Sequence, residues 1–566
     1  MPANTGPPTP LLLVAATTLE AFVAVTFLAR YVPDHGLLIL FTTLLAVNVA
    51  LLAVYNVFIY PFFVSPLRHL PTPKGALPVL GHGLTMFSRP AGKEFSRWMA
   101  TIPNDGLIYF RGFFNTDRLL ITDIKAIGEI LVTKSYDFEK PPPIRNFLRR
   151  LLGDGLIIVE GDQHRFLRKT MLPSFGFRSV KDLYPIFWDK SVQFAQGVTQ
   201  QIAENPEYTA EKTNAPTSVV EVNHWANQVT MDIIGMAAMG RDFNALKNGD
   251  DPLIQNYEEL LEPILEKQIY FAANLLAPMS LIDRLPWKVV KTFQRITGQL
   301  NDICLQLVRD KKAELEKATD PEAHKDVLSH LIRTNSFTDK QMVDQMLTFL
   351  AAGHETTSST LTWTAYLLAK HPNVQTALRE EVRTALPFGT QPFNKLPSDI
   401  DLGAILESLP LLNGVCNEVS RLYPTVPNTV RTALQERTLL GQVVPKGTEI
   451  ILSPAAINVA PSLWGDNAAD FVPERWIDTD EKGVQKPNNN GGAPSNYAIL
   501  TFLHGPRSCI GQGFAKAELR ALVTVLCGAF ELEIARPDEE VIPHGVVTTK
   551  PKHGMNLRMK RLAGWE

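Results

Sequence analysis

Phe502-Leu503-His504-Gly505-Pro506-Arg507-Ser508-Cys509-Ile510-Gly511 sets four residues at fixed spacing around one cysteine, in the pattern F-x-x-G-x-R-x-C-x-G. A sulfur that must reach a metal in a flat macrocycle needs tight backbone on either side, and Gly505 and Gly511 allow that close approach. Backbone amides near the sulfur temper its charge. Arg507 places a cation where a carboxylate of the macrocycle could sit. A helix expected over Gln512 to Phe530 points its positive end back at the sulfur.

The rest of the chain gives Cys509 no disulfide partner. The other cysteines, Cys304, Cys416 and Cys527, are far apart in the 566 residues, with no C-x-x-C pair. That spacing argues against a disulfide-stapled secreted fold, and those three read as buried free thiols. No Asn-x-Ser/Thr acceptor occurs. The formal net charge is −3, so nucleic acid is not an expected partner.

On these residues the sequence resembles the cytochrome P450 superfamily, and the resemblance extends along most of the chain after its N-terminal segment. It implies haem b with Cys509 as the sulfur ligand to iron, and Phe502, Gly505, Arg507 and Gly511 as the surrounding cofactor-binding positions. A thiolate opposite dioxygen favours cleavage of the O–O bond. The implied activity is insertion of one oxygen atom into an apolar small molecule, with electrons from NADPH through a separate flavoprotein reductase. The chain carries no G-x-G-x-x-G after a strand, in agreement with an external donor.

Three further matches support the resemblance. Ala352-Gly353-His354-Glu355-Thr356-Thr357 interrupts a helical run from Asp344 to Lys370 with small and polar residues. Carried over, Thr356 is the alcohol that helps deliver protons to dioxygen, Glu355 the adjacent acid, and Gly353 the residue that leaves room for oxygen. Glu418-Val419-Ser420-Arg421 puts an acid and a base at i and i+3 on one helix face. With Pro473-Glu474-Arg475-Trp476 it implies a buried network of Glu418, Arg421 and Arg475. In Gly161 to Lys169, Arg168 matches an arginine that reaches a haem propionate, while His164 stands where tryptophan is commoner. Arg431 is a further propionate candidate.

The N-terminus departs from the rest in composition. Leu11 to Leu28 is apolar apart from Glu20, and Gly36 to Val64 has no charge. A helix crossing a bilayer needs about 20 apolar residues, so the second segment reads as a span and the first as a marginal one, because Glu20 is costly in hydrocarbon. No Lys or Arg precedes Leu11, so a cleaved signal peptide is disfavoured. Arg68 and Lys74 after the second segment, against Arg30 alone in the connection, place the remainder in the cytoplasm, with the endoplasmic reticulum as the expected membrane.

The expected organisation is thus a membrane anchor over 1–64, a proline-rich hinge over 65–75 and a catalytic domain over 76–566, mainly α with a small β component. Strands are expected at Leu107 to Arg111 and Arg118 to Thr122, with amphipathic helices near 180–204, 223–240, 253–275, 287–317 and 340–370. Lys486 to Pro494 reads as an exposed loop. Apolar segments at Phe113 to Phe114, Phe138 to Phe147, Phe271 to Leu276, Phe349 to Ala352 and Pro427 to Val430 are the expected pocket lining. Arg165, Lys169, Lys516 and Arg520 form an expected basic face for the reductase. Two rival activities fit the cysteine motif less well. A haem-thiolate isomerase or dehydratase working without NADPH does not need the Glu355-Thr356 pair, and neither does a haem sensor.

Overall fold

The computed structural model describes residues 10–27, 36–206, 217–247, 251–261, 265–276, 279–320, 324–386, 400–545 and 548–565. It is 60% helical and 11% strand, which is the mainly α architecture the periodicity predicts. The chain forms two compact units, one of residues 1–88, 94–140 and 429–453, the other of 89–93, 141–428 and 454–566.

The first unit is built on a five-stranded sheet in the order Leu107–Arg111, Asp117–Ile121, Glu449–Leu452, Thr429–Ala433, Phe138–Glu139. Asp117–Ile121 and Glu449–Leu452 run parallel, and the other pairs are antiparallel. The second strand begins one residue earlier than expected because Asp117 is held in place. Its buried carboxylate accepts from Ser65 Oγ at 2.7 Å and from the Tyr109 hydroxyl at 2.8 Å, and it pairs with Arg111 across the ladder. The same bond docks the proline-rich stretch. Ser65 and Leu67 are fully buried, and the Tyr109 amide donates to Pro71 O. The segment around 65–75 therefore packs against the sheet.

Leu38–Val64 is long and apolar enough to cross a membrane, with mean hydropathy 2.3, while the apolar helix Leu12–Thr26 is shorter. This segment is consistent with an N-terminal membrane anchor. Leu28 and Arg30 lie outside the described residues. Asn48 donates to Glu20 Oε2 at 2.6 Å and to Thr17 Oγ1 at 3.1 Å, which offsets part of the cost of a carboxylate in an apolar helix.

The second unit is the helical body. Asp339–Lys370 is its central helix, started by a capping box between Thr338 and Gln341 and buried over nearly every residue from Met342 to Leu350. It packs on Val222–Ile234, Lys288–Lys317 and Gln512–Ala529. Within the expected helix over 253–275, the described residues form helices Pro252–Leu261 and Leu265–Leu276. That over 180–204 divides into Phe177–Lys181 and Tyr184–Glu204, with Pro185 at the start of the latter. The loop over 486–494 is less exposed than expected. Gln485–Pro487 pairs with Ile477–Thr479, and Gly491 is buried against Trp464 and Trp476.

Candidate functional site

Cys509 is the one exposed cysteine; Cys304, Cys416 and Cys527 are buried as expected. Its loop is shaped by left-handed backbone at Leu503 (φ 53°) and Gly505 (φ 73°), followed by a single 3-10 turn over Gly505–Arg507. The Cys509 amide donates to Phe502 O at 2.8 Å and closes the loop. Gly511 does different work from Gly505. Its φ of −87° suits any residue, and its amide bonds the Cys509 sulfur at the start of helix Gln512–Ala529. Protein packed around the side chain pushes the thiol pKa up although its surface stays accessible, while the Gly511 amide and Arg168 pull it down.

The helix Gly161–Met171 stands beside this loop. Arg168 donates to Ser508 O and, at 3.0 Å, to Ser508 Oγ. His164, one turn earlier on the same face, is buried. Arg507 is buried in an ion pair with Glu160, the residue that precedes this helix, a partner the sequence reading missed. Arg431 belongs to the first unit, buried on strand Thr429–Ala433 with Nη1 donating to Thr429 Oγ1 at 2.8 Å.

On the central helix, Ala352 is exposed between buried turns, and Thr356 is partly exposed. Thr356 Oγ1 donates to Ala352 O at 2.6 Å while the helix stays continuous. A Cβ at Gly353 would come within 2.5 Å of Ile234 Cδ1, so helix Val222–Ile234 packs closely against this position. Ala352 is the small residue on the open side. His354 points inward, buried, edge-on to Tyr257 at 5.8 Å, and burial plus the Lys550 charge push its pKa down to about 3. Beyond Thr357, the sequence reading also missed Glu518, a fully buried carboxyl on the Cys509 helix. Burial pushes its pKa well up, and neither carboxyl oxygen has a hydrogen-bond partner among the described residues. A lone acid in the apolar run Phe514 to Ala529 was the available clue.

The Glu418 network is assembled as expected. Arg421 donates to both carboxylate oxygens at 2.8 and 2.7 Å, Arg475 Nε to Oε1 at 2.9 Å, Trp476 Nε1 to Oε2 at 2.9 Å, and the Val472 amide to Oε1 at 3.1 Å. Arg421 also reaches three backbone carbonyls, those of Asn458, Ala468 and Asp470. Burial alone would raise the Glu418 pKa, but the arginines and the Trp476 and Val472 donors outweigh it and hold it below the usual 4.5.

The basic face contracts. Arg520 turns inward to Asn413 Oδ1 at 2.6 Å and pairs with Glu407, and Lys516 lies over the Phe502 ring. Both are drawn in by partners outside their own helix. Lys169 and Arg165 remain exposed, Arg165 in a pair with Asp162. Of the expected lining, Phe138 is fully buried in the sheet, Phe349 packs on Phe175, and Phe147 packs on Phe271. The side chains of 275 and 276 lie outside the described residues.

This donor set fits a haem. It offers an accessible cysteine side chain beside the Gly511 amide, guanidinium groups at Arg168 and Arg507, and a continuous central helix with an exposed Ala352 followed one turn later by Thr356. The family model for cytochrome P450 matches residues 71–557. The chain belongs to the cytochrome P450 family. It is 41% identical over 517 residues to the cytochrome P450 monooxygenase sphH of Aspergillus fumigatus, covering 90% of this chain and 91% of that one. It is 36% identical over 508 residues to ptmK of Penicillium ochrochloron, also a cytochrome P450 monooxygenase, covering 90% and 96%. ALT8 of Alternaria alternata, another such monooxygenase, is 34% identical over 559 residues, covering 90% and 92%. As a P450 monooxygenase the protein uses haem b and NADPH-derived electrons passed through a reductase. The relatives support this activity and not the isomerase or sensor readings.

Proposed function

We propose that this P450 hydroxylates or epoxidises an apolar lipid, terpenoid, steroid or polyketide in fungal secondary metabolism. The exposed Cys509 sulfur, alone among four cysteines and bonded by the Gly511 amide, carries the reading. Bound haem supplies the oxidation chemistry, sending one atom of dioxygen to the substrate and the other to water. Cys509 ligates the iron. Arg168, Arg507, Arg431 and His164 hold the carboxylates of the cofactor by charge and hydrogen bonding. Ala352 leaves space above it, with Gly353 seating the helix against Ile234. Glu355 takes protons from solvent and Thr356 passes them on through its hydroxyl. Screening candidate substrates for a high-spin shift of the haem spectrum tests the substrate class; polar compounds shifting it while all apolar classes fail would overturn that part.

Thr356→Ala removes the relay hydroxyl but not a tertiary contact, since Thr356 bonds its own helix. Product formed per NADPH consumed is expected to fall by about 10²-fold, with the haem spectrum unchanged. Coupling at the wild-type level would remove Thr356 from the proton path.

We further place the protein in the endoplasmic reticulum, with residues 1–64 as anchor, 65–75 as the docked connection and 76–566 as the cytoplasmic catalytic domain. Lys169 and Arg165 form the reduced docking face for the reductase. Lys169→Glu is expected to slow reductase-dependent haem reduction several-fold at low salt and less at high salt. A rate unchanged at low ionic strength would move the docking face elsewhere.

A further inference from the structure

Glu160 occupies the cap position of helix Gly161–Met171, yet its side chain caps nothing. Caps favour short acceptors such as Ser, Thr, Asp and Asn. Here Gly161, at φ 59°, turns the chain in the left-handed region, and the Glu160 carboxylate goes inward to Arg507. The two side chains are 6% and 4% exposed. Burying two charges costs several kcal/mol per ion before their attraction is counted, so such a pair is poor at adding stability. What it fixes is position.

The partner is the residue two before Cys509. A second tie from the same helix, Arg168 to Ser508, grips the residue one before it. His164 and Arg168 lie one turn apart on the helix, and Glu160 enters from the cap just before it. The cap and the helix thus both hold the sulfur loop.

We propose that Glu160 is a positioning residue for the Cys509 loop. It orients Arg507 and offsets its charge, so that the guanidinium is shared between Glu160 and a carboxylate of the cofactor. This rests on Cys509 and Arg507 as haem-binding residues. Loss of the Glu160 charge then loosens the cofactor and leaves extra positive charge beside it, which favours the reduced state.

The test uses the full-length holoenzyme and three variants, Glu160→Gln, Glu160→Asp and Cys509→Ala. Haem transfer to excess apomyoglobin and the ferric/ferrous potential are measured. Glu160→Gln is expected to release haem about tenfold faster and to shift the potential upward, with Glu160→Asp recovering part of both. Should Glu160→Gln fail to fold, the Asp variant, whose shorter carboxylate keeps the charge, still has to show intermediate release. Wild-type release and potential in both variants would overturn the proposal, as would a lower urea midpoint with neither readout moved. If Cys509→Ala retained the wild-type haem spectrum, the underlying haem-site reading would fail instead.

Discussion

Glu418→Ala is expected to destabilise the protein by about 3–5 kcal/mol, because it leaves buried charges without their counter-charge. Arg421 is fully buried and Arg475 nearly so, and each loses its bond to the carboxylate. The Trp476 indole and the Val472 amide lose theirs as well. A loss of that size is a large part of the about 5–15 kcal/mol by which native proteins are stable. The variant should collect in the insoluble fraction, and its urea midpoint, where soluble protein remains, should drop sharply. The sign of the pH effect follows from the depressed Glu418 pKa. A carboxyl held below 4.5 in the folded state adds stability that is complete above that pH and is lost as the pH falls through the folded value. Glu418→Gln should therefore flatten the acid limb of the stability curve. An unchanged acid limb would show that the network does not depend on the charge.

Cys509→Ala is expected to do the opposite, sparing the fold and abolishing the activity. The side chain is exposed and its loop is closed by backbone, the Cys509 amide on Phe502 O, so the apoprotein should keep its stability to within about 0.5 kcal/mol. Monooxygenase turnover should fall at least about 10³-fold, since no other cysteine is exposed to replace the ligand and the thiolate drives O–O cleavage. Haem content, urea midpoint and product formation measured together separate the two variants. One loses its fold with its activity; the other loses activity alone.

The contrast shows which parts of the site could be read from the sequence. Cys509 and Glu418 were legible because their partners lie at short, fixed spacings, in Phe502 to Gly511 and in Glu418 to Arg421. The helix over Asp339–Lys370 was legible from periodicity, and the strand Leu107–Arg111 from its short run of strand-forming residues before the turn at Asn115 to Asp117. Glu160 was not, because its partner is distant in the chain and its cap position resembles an ordinary helix start. The close packing of Ile234 on Gly353 was not legible either, because only the folded packing decides which way the gap at a helix glycine faces. Arg520 looked like a surface charge, yet Asn413 and Glu407 draw it inward.

The most direct test of the haem-thiolate site is the difference spectrum of the reduced, carbon monoxide-treated full-length protein. Cys509 on the iron should give a band at about 450 nm, absent from Cys509→Ala prepared alongside. A haem-containing wild-type protein without that band, or a Cys509→Ala variant that keeps it, would contradict the assignment of Cys509.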